Sequence, residues 1–284
     1  MDRRDVPDLS VLVVNWRGGE VFRRCVAAIR ESCRGVDHEI VVVDNASPAG
    51  ELDEIERVPG LRLIRNRRNL GFARATNLSV AAARGRWLLL LNNDVILAPD
   101  CVERLLEAGS GTDVAVPRLV LTDGRTQRSV TGLPRPADVL YACFGFDRLS
   151  RRFDGWMLRR FDYASRQRVV AQPAFSAVLI RREVWESVGA LDEEFPLLWN
   201  DTDWFHRFHE GGWRCEYVPD AVAVHFHGMS VNRRRFRKIL ESSRGMLRYF
   251  RKHRPEQRWG ARLAVMLSFV LRILREAALV AGGR

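Results

Sequence analysis

The sequence predicts an α/β fold, a three-layer sandwich with a mainly parallel central sheet and basic helices toward its C-terminal end. Three almost wholly apolar runs, at Leu9–Asn15, Glu39–Val43 and Trp87–Leu91, have the composition of strands buried on both faces. Two segments with helical spacing of apolar residues, Val21–Ser32 and Phe72–Arg84, separate these runs. Strands and helices that alternate in this way indicate a parallel sheet covered by helices on both sides.

The length and composition of the chain indicate how many domains it can form and in which cellular compartment it belongs. The chain has 284 residues, 46% of them hydrophobic, which is enough for one large α/β domain with additions or for two small domains. Its five cysteines form no CxxC pair, and an odd number of unpaired positions fits a reducing compartment better than a disulfide scaffold. The first ten residues contain no apolar stretch of the kind found in signal peptides, so we expect a cytoplasmic protein.

Most of the net charge of +11 belongs to one end of the chain. From Gly228 to Arg284 there are 15 Lys and Arg against 3 Asp and Glu, whereas the preceding residues have 31 against 32. A basic, partly apolar terminal segment indicates an anionic membrane surface or a nucleic acid as partner. The alternative is a solvated helical surface.

The remaining elements follow from the same patterns. A short strand, Leu61–Ile64, precedes the loop Asn66–Gly71, and Asp100 and Glu103 have the spacing of a capping box at the start of a helix. Residues 128–170 are Arg-rich, aromatic and irregular, and we interpret them as a variable loop or lid that faces an acceptor. The other predicted elements are the strands Asp113–Pro117 and Leu119–Thr122 with a tight turn at Asp123-Gly124, the strand Phe175–Ile180, the helix Arg182–Val188, and the strands Arg214–Val218 and Ala221–His225.

Polar side chains follow the second strand and the central strand where each ends. Asn92, Asn93 and Asp94 come directly after the predicted strand Trp87–Leu91, at the end where open α/β sheets bind ligands. One carboxylate with two amides suits a hard cation shared with a substrate phosphate, although these residues could also form a turn and cap a helix. Asp44 could accept from a base or a ribose hydroxyl, or form an Asx-turn. No GxGxxG follows the first strand and no P-loop occurs, so a nucleotide must be held differently.

Two carboxylates stand at the start of a predicted helix. Asp201 and Asp203 are favoured there by the helix dipole and by capping, which is a purely structural explanation for both. However, Trp199, Trp204 and Trp213 surround them in the sequence. A carboxylate amid apolar bulk has the raised pKa of a general base.

Eight short motifs occur in a specific order along the chain. They are VLVVNW, VVVDNASPAG, NLGFARATN, LLLLNNDVILAPD, LIRREVWESVGALDEEF, NDTDW, GWRCEYVPDAVAVH and HFHGMS. Over roughly residues 8 to 232 this order resembles the family 2 inverting glycosyltransferases, which have the Rossmann-like GT-A fold. Within that family the sequence is most similar to the rhamnosyltransferase-like branch of bacterial cell-wall and polysaccharide enzymes.

The resemblance implies a role for individual positions. Asp94 would bind a divalent ion, Mg²⁺ or Mn²⁺, as the last residue of the family's DXD motif, and His225, or alternatively His227, would complete the metal or diphosphate site. Asp201 would be the general base, and Asp44 would recognise the base of the nucleotide. The further donor-binding residues would be Asn15, Trp16, Asn69, Gly71, Arg74, Asn92 and Asn93. On the acceptor side would lie Trp199, which could instead be core, and Asp203, which could instead be a helix-start carboxylate.

Three positions depart from the family pattern. Asn92 replaces the first Asp of the DXD motif, which suggests weaker metal binding. Asn200 replaces the Glu that commonly precedes the base, so a second carboxylate is missing there. Phe175 stands near a position that is often Gly, and its bulk would reshape the acceptor side.

The basic end of the chain predicts two helices. Asn232–His253 is heavily basic, and Arg258–Ala281 is more apolar. The uncharged stretch Leu263–Leu271 is shorter than the about 20 residues that a spanning helix needs. An amphipathic helix in the interface of an anionic membrane fits better, which would place the protein peripherally on the inner face of the cell membrane. The alternatives are packing on the catalytic domain or on a second subunit of a homo-oligomer.

These observations predict a GT-A catalytic domain over residues 1–231, with a nucleotide-sugar half at about 8–110 and an acceptor half at about 111–231, and an amphipathic helical tail at 232–284. The expected reaction is inverting, metal-assisted sugar transfer to a glycan or polyprenyl-linked hydroxyl, with dTDP-rhamnose as first candidate donor on resemblance alone. A catalytically inactive nucleotide-sugar binder or scaffold is the alternative that Asn92 and Asn200 suggest. A nucleic-acid-binding protein is disfavoured because the tail has no helix-turn-helix, zinc or RNP signature.

Overall fold

A computed structural model describes residues 6–52, 55–168, 170–195, 197–226 and 235–281, the last range with side chains from 239 to 274. The chain forms two compact units, Met1–Ser129 with Asp162–Ser230 and Val130–Phe161 with Val231–Arg284. The division after residue 230 lies one residue from the predicted start of the tail. The segment from 130 to 161, which the sequence assigned to the acceptor half, belongs to the same unit as the tail.

The strands, in chain order, are β1 (Leu9–Asn15), β2 (His38–Asp44), β3 (Leu61–Arg65), β4 (Trp87–Asn92), β5 (Val95–Leu97), β6 (Val114–Val120), β7 (Val130–Thr131), β8 (Gln172–Pro173), β9 (Ala177–Arg181) and β10 (Cys215–His225). The helices are α1 (Gly19–Ser32), α2 (Phe72–Ala82), α3 (Cys101–Gly109), α4 (Pro136–Phe144), α5 (Phe146–Leu149), α6 (Arg182–Val188), α7 (Asn200–Glu210), α8 (Arg235–His253) and α9 (Arg258–Ala281). Every predicted strand and helix therefore has an observed counterpart.

The first unit is built on one sheet. Within the described residues, eight strands lie in the order β3-β2-β1-β4-β9-β6-β10-β5. β3, β2, β1 and β4 are mutually parallel, as are β6 and β10, whereas β9 and β5 run antiparallel to their neighbours. The predicted, mainly parallel α/β sheet is thereby confirmed, and the carboxyl ends of its parallel strands lie along one edge.

Helices cover both faces of this sheet. α1 and α3 share one core with alternate residues of the strands, including Val11, Val13 and Leu89. α2 packs on β1 and β2 but contributes no residue to that core. The chain moves in opposite directions along the sheet through α1 and through α2, so right-handed crossovers put these helices on opposite faces.

Buried cysteines belong to this core. Cys25 belongs to α1, Cys33 follows α1 and Cys101 begins α3, and all five cysteines of the chain are free thiols. Burial raises the pKa of the Cys33 thiol to about 12. A thiol is nucleophilic only as the thiolate, so Cys33 is inert near neutral pH.

Two predictions of paired short strands were wrong, because each pair is one continuous strand. β6 continues through Pro117, which is tolerated because β9 pairs only with Val114 and Ala115 and no longer needs an N–H from β6 beyond them. β10 continues past Pro219 because its register with β6 shifts between Val218 and Val222.

The predicted capping box at the start of α3 was also wrong. Asp100 is the N-cap residue but makes no side-chain cap hydrogen bond. Its Oδ2 accepts from the Arg104 guanidinium over 2.7 Å. The carboxylate is directed toward the cation one turn along the helix and not toward the backbone N–H groups of the first turn.

The second unit contains helices where the sequence predicted irregular structure. α4 begins at Pro136, and the Arg135 backbone N–H donates to Asp138 Oδ2 over 2.9 Å. Gly145, at φ +78°, ends α4 and admits α5 directly after it. Local capping therefore organises this segment, although its composition indicated a loop.

The same unit contains the hairpin of α8 and α9, which pack on each other, while α4 also packs on α9. α9 has the predicted bounds, Arg258–Ala281. Among the described residues, no helix is long and apolar enough to cross a bilayer.

Candidate functional site

The carboxyl ends of β1, β2 and β4 carry a chain of buried side-chain hydrogen bonds. Asn15 lies opposite Asp44 in register, and its Nδ2 donates to Asp44 Oδ1 over 2.9 Å. The Asn15 Oδ1 accepts from Asn93 Nδ2 over 2.8 Å. Asn15 therefore connects the predicted base-recognition residue with the predicted metal motif.

The Asp44 carboxylate also closes a turn. Its Oδ1 accepts from the Ser47 hydroxyl over 2.6 Å, and its Oδ2 accepts from the Ser47 backbone N–H over 2.9 Å. This is the Asx-turn that the sequence offered as the structural alternative. An ionised carboxylate has about four acceptor positions, so three protein donors leave capacity for a ligand. The turn and a nucleotide contact are therefore compatible.

Backbone approaches this network so closely that only glycine fits at position 18. A Cβ on Gly18 would lie 2.5 Å from Asn15 Oδ1 and 2.6 Å from Asn93 Nδ2. Trp16, a predicted donor-binding residue, is half-buried next to it, with the Arg17 guanidinium 5.4 Å from its ring. The sequence identified Gly18 as a turn residue, and only the tertiary structure shows the close contact.

Asn45, which sequence reasoning missed, anchors the loop that carries two predicted donor-binding residues. Its Oδ1 accepts from Asn66 Nδ2 over 2.9 Å, and its Nδ2 donates to the Gly71 carbonyl over 3.2 Å. Gly71, at φ +83°, precedes α2, and its N–H donates to the exposed Asn69 side chain over 2.9 Å. The available signal was the Asn directly after Asp44 at the end of β2.

Arg74 lies on the first turns of α2 with about half of its side chain exposed. Its Nε is 3.7 Å from Glu193 Oε2, also about half exposed. Asn77, one turn further on, exchanges two 2.9 Å hydrogen bonds with the backbone of Leu191. α2 is thus tied to the segment that leads to α7, and Arg74 stands at the surface beside that segment.

Asp94 and His225 are brought together by the pairing of β5 with β10. Val95 lies opposite His225, and the Phe226 N–H donates to the Asp94 carbonyl over 2.9 Å. His225 Nε2 lies 3.2 Å from Asp94 Oδ1, and its Nδ1 lies 2.8 Å from Gln127 Oε1. Both side chains are buried, so two metal-ligand types face each other with a fixed orientation. His227, the alternative ligand, lies outside the described residues.

Gln127 is a second residue that sequence reasoning missed. It follows the tight turn after β6, where the Leu121 N–H donates to the Arg125 carbonyl and the Gln127 N–H to the Leu119 carbonyl, each over 2.8 Å. An amide oxygen that accepts from Nδ1–H selects the imidazole tautomer whose Nε2 carries the lone pair. The sequence contains no signal for this contact, because Gln127 and His225 are 98 positions apart.

Asp201 stands in the first turn of α7 and is half-buried. Its Oδ1 accepts from the Thr202 N–H over 2.8 Å, and the Gln172 side chain also donates to it. Burial raises the pKa of Asp201 above its ordinary value, and these hydrogen bonds to the ionised form only partly oppose the effect. The environment matches the one expected for a general base.

Gln172 links the surroundings of Asp201 to the metal motif along the chain. Four residues after Gln172, the Ser176 carbonyl accepts from the Asn92 backbone N–H over 2.9 Å. Four extended residues span at most about 14 Å. Asp201 and the half-buried Asn92 are therefore joined by one short segment at the same edge of the sheet.

The residues that flank Asp201 have structural partners. Asn200 donates through Nδ2 to the carbonyls of Phe195 and Leu197, over 3.3 and 3.0 Å. An ionised Glu has no proton to donate, so an amide is required for these bonds. Trp199 has φ +74°, a strained conformation for a bulky residue, and its side chain is 8% exposed.

Asp203 is fully buried, and its Oδ2 accepts from Arg207 Nε and Nη2 over 3.2 and 3.1 Å. Arg207 also donates to the carbonyls of Val188 and Ala190. This ion pair anchors the segment before α7, which favours the structural explanation for Asp203. Phe175 packs on Trp204 with ring centroids 5.6 Å apart and is buried, so its bulk fills the core.

Comparison with protein families agrees with this geometry. The model of the family described as "Glycosyl transferase family 2" matches residues 10–172, more than half of the chain. The N-acetylglucosaminyl-diphospho-decaprenol L-rhamnosyltransferase of Mycobacterium tuberculosis is 26% identical over 249 residues, covering 79% of this chain and 78% of that protein. The succinoglycan biosynthesis protein ExoO of Rhizobium meliloti is 33% identical over 43% of this chain and 37% of its own.

Solved structures with the same fold include two glycosyltransferases. The mannosyltransferase PcManGT from Pyrobaculum calidifontis, in complex with GDP-Man and Mn²⁺, has a TM-score of 0.59 at 18% identity, over 98% of this chain and 76% of that one. GalNAc-T7 with UDP, GalNAc and Mn²⁺ has a TM-score of 0.58 at 19% identity, and the match covers 78% of this chain but only 44% of that one. At these identities the likeness shows the fold, which is GT-A.

Proposed function

This chain belongs to glycosyl transferase family 2, and we propose that it transfers a sugar, with inversion, from a nucleotide-diphospho-sugar to a hydroxyl of a polyprenyl-diphospho-linked glycan. The observation that carries the proposal is the single sheet edge on which Asp44, Asn93, Asp94 and His225 are tied together, with Asp201 nearby. The name of the mycobacterial relative supports the polyprenyl-linked acceptor and makes rhamnose the first sugar to test.

The donor would lie along this edge. Asp44 has acceptor capacity left for a base or ribose donor, and Trp16 directly follows Asn15, which hydrogen-bonds to Asp44. The start of α2 after Gly71 presents backbone N–H groups and the positive end of a helix dipole, which favour a diphosphate. Arg74, exposed on the same turn, adds a cation with only a distant partner.

The chemistry needs one base and no covalent nucleophile. In an inverting transfer the acceptor oxygen bonds to the anomeric carbon while the bond from that carbon to the diphosphate oxygen breaks. Asp201 would take the proton of the acceptor hydroxyl, and its raised pKa makes the carboxylate a stronger base than an exposed Asp. The electron pair leaves with the nucleoside diphosphate, whose added charge must be stabilised.

The donor set at Asp94 and His225 fits a divalent ion. A carboxylate oxygen and an imidazole nitrogen face each other at 3.2 Å, and Gln127 orients the imidazole from behind, as outer-shell partners do in metal sites. Asp94 and His225 would hold the ion, with Asn92 supplying an uncharged oxygen where relatives have a carboxylate. A bound Mg²⁺ or Mn²⁺ would stabilise charge on the departing diphosphate.

The first test is the thermal stability of the full chain with dTDP, UDP and GDP and their sugars, each with and without Mn²⁺ or Mg²⁺. A ligand that binds only the folded protein raises Tm by mass action. We expect a metal-dependent rise with at least one nucleotide, lost in Asp44→Ala and Asp94→Ala. No rise with any of these ligands would overturn the proposed donor site.

A second test separates an active enzyme from an inactive nucleotide-sugar binder. We expect transfer to a polyprenyl-diphospho-N-acetylglucosamine acceptor, and its loss in Asp201→Asn with donor binding unchanged. Donor binding without transfer or donor hydrolysis in the native chain would favour the inactive binder. Equal loss in folded Asp203→Asn would overturn the choice of base.

A lipid-linked acceptor also gives the chain a location. We extend the proposal to peripheral association with the inner face of the cell membrane, where such an acceptor is presented. The basic composition after residue 228 supports this location.

A further inference from the structure

Five large apolar side chains form an exposed stripe along α9. Trp259, Leu263, Met266, Val270 and Leu274 are between 46 and 68% exposed. Their spacing of four, three, four and four residues puts them on one face of a helix. A continuous apolar stripe of this length is not expected on a surface that meets only water.

The stripe lies opposite the face by which α9 packs. Ala261, Ala264, Val265 and Ser268 are buried, and they point about half a turn away from the stripe. α9 is therefore apolar on both sides although it is buried on only one. From Leu263 to Leu274 its single charged residue, Arg272, donates to Ser242 Oγ on α8, away from the stripe.

Positive charge borders the stripe. Arg258 and Arg262 are exposed, and their guanidinium carbons lie 5.5 and 5.0 Å from the centre of the Trp259 ring. On α8, Leu240 and Leu247, each 39% exposed, alternate with the exposed Arg244 and Arg251 at helical spacing. Trp beside Arg at the end of an apolar face is the pattern of helices that lie in a lipid interface.

We infer that α9 lies in the headgroup region of an anionic bilayer, with the Trp259–Leu274 stripe among the acyl chains and Arg258 and Arg262 on lipid phosphates. This deepens the peripheral location within the proposed function by naming the surface that makes the contact. Phe144, Phe146 and Leu149, from the α4 and α5 segment of the same unit, are also exposed.

Charge selects a bilayer over a second copy of the chain. A two-fold interface buries the same patch of each copy, so the basic residues that border the stripe would enter one interface from both copies. Residues 228–284 have 15 basic against 3 acidic residues, and like charges at such an interface would repel. Anionic phosphates neutralise the same charges.

The test is sedimentation of the full chain with vesicles of phosphatidylcholine alone or of equimolar phosphatidylcholine and phosphatidylglycerol. We expect binding to the mixed vesicles and weak binding to the neutral ones. The double variant Leu263→Glu/Val270→Glu should bind the mixed vesicles at least about tenfold more weakly, because two apolar side chains that would enter the bilayer are replaced by charges. Arg258→Gln/Arg262→Gln should weaken binding to the mixed vesicles severalfold and binding to the neutral ones little.

The matched control is Leu78→Glu/Leu197→Glu, which also replaces two exposed aliphatic residues by Glu but in the other unit. Unchanged circular dichroism and Tm verify folding in each variant. Vesicle binding by Leu263→Glu/Val270→Glu equal to that of the control would overturn the inference. So would a native dimer in vesicle-free solution that this variant converts to a monomer.

Sedimentation does not require turnover, so it distinguishes this inference from the proposed reaction. If the chain binds nucleotide and transfers sugar but stays off the mixed vesicles, the surface is wrong and the function stands. If it binds the vesicles through the stripe but never binds a nucleotide, the proposed function is wrong and the membrane surface stands.

Discussion

His225 Nε2 lies 3.2 Å from Asp94 Oδ1, while the opposite ring nitrogen of His225 lies 2.8 Å from Gln127 Oε1. Three segments of the chain meet in this line, the turn after β4, the turn after β6 and the end of β10. Gln127 contacts the ring nitrogen that faces away from Asp94, so we regard it as a positioning residue for His225.

Gln127→Met should therefore weaken Mn²⁺ binding. Met has no amide to hydrogen-bond with the imidazole, so the ring loses the partner that orients it. Loss of an outer-shell partner of this kind costs about 10–100-fold in metal affinity. Free Mn²⁺ measured by electron paramagnetic resonance checks the affinity, and kcat at saturating Mn²⁺ should change less. Arg125→Gln, exposed on the same turn, serves as control, and equal effects of the two variants would refute the role of Gln127.

Asp201 gives a prediction about pH and stability. Because burial raises its pKa, the folded state binds more protons than the unfolded state between the two pKa values. Stability from this group therefore falls as pH rises through that window, and the ionised carboxylate is destabilising at pH 7. Asp201→Asn should lower kcat by roughly 10²–10⁴-fold without lowering Tm at pH 7. A clear drop in Tm would mean that Asp201 stabilises the fold instead.

Gln172 should lower the pKa of the Asp201 carboxylate. Its hydrogen bond to the ionised form lowers the pKa of Asp201, so Gln172→Met should raise that pKa. The acid limb of kcat/KM, where Asp201 becomes protonated, should move to higher pH. A pH profile of transfer measures the shift, and an unmoved limb with reduced activity throughout would indicate general disruption only.

Replacing Asn92 or Asn200 by the acidic residue common in the family should improve metal binding at the first position and lower stability at the second. Asn92→Asp adds a second carboxylate beside Asp94 and should tighten Mn²⁺ binding. Asn200→Glu leaves the carbonyls of Phe195 and Leu197 without their donor and buries a charge, which should cost about 1–3 kcal/mol or more of unfolding free energy. Manganese titration tests the first variant and urea unfolding the second. A fully stable Asn200→Glu protein would contradict this account.

Gly18→Ala tests the close contact beneath the donor site. Its Cβ would meet Asn15, Asn93 and Phe22 at 2.5 to 2.6 Å. Relief of this overlap should lower the free energy of unfolding by about 1–3 kcal/mol and displace Asn15. Both Tm and the affinity for nucleotide should therefore fall. Gly111→Ala is the control, because its nearest atom would be 3.9 Å away. If the two variants behave alike, the contact is not tight.

The local pattern determined most of the fold. Leu9–Asn15 and Arg258–Ala281 have the bounds that the sequence predicted, because burial on both faces or on one helical stripe fixes the spacing of apolar residues. The same logic located Asp44 and the motif from Asn92 to Asp94, since polar residues directly after buried strands must lie at the carboxyl edge of the sheet.

The hydrophobic pattern did not predict how two helices begin, because helix starts depend on capping side chains. Asp100 had the spacing of a cap but pairs with Arg104, and residues 130–161 looked irregular although Pro136 and Asp138 start a helix there. The Asp100 carboxylate bonds to Arg104, and the Asp138 carboxylate accepts from the backbone and the guanidinium of Arg135. Such side-chain hydrogen bonds are each worth about 1 kcal/mol, and composition does not reveal which of them form.

Only the tertiary structure decided the partners that site residues find far away along the chain. Gln127 and His225 are 98 positions apart, and Asn15 and Asn93 are 78 apart, so no local spacing could connect them. It also separated the two aspartates of α7, since Arg207 pairs with Asp203 while Asp201 keeps a raised pKa. The sequence by itself determined where chemistry-bearing residues lie, because strand and helix periodicity is local. Their orientation depends on contacts across the sheet, which exist only after the chain has folded.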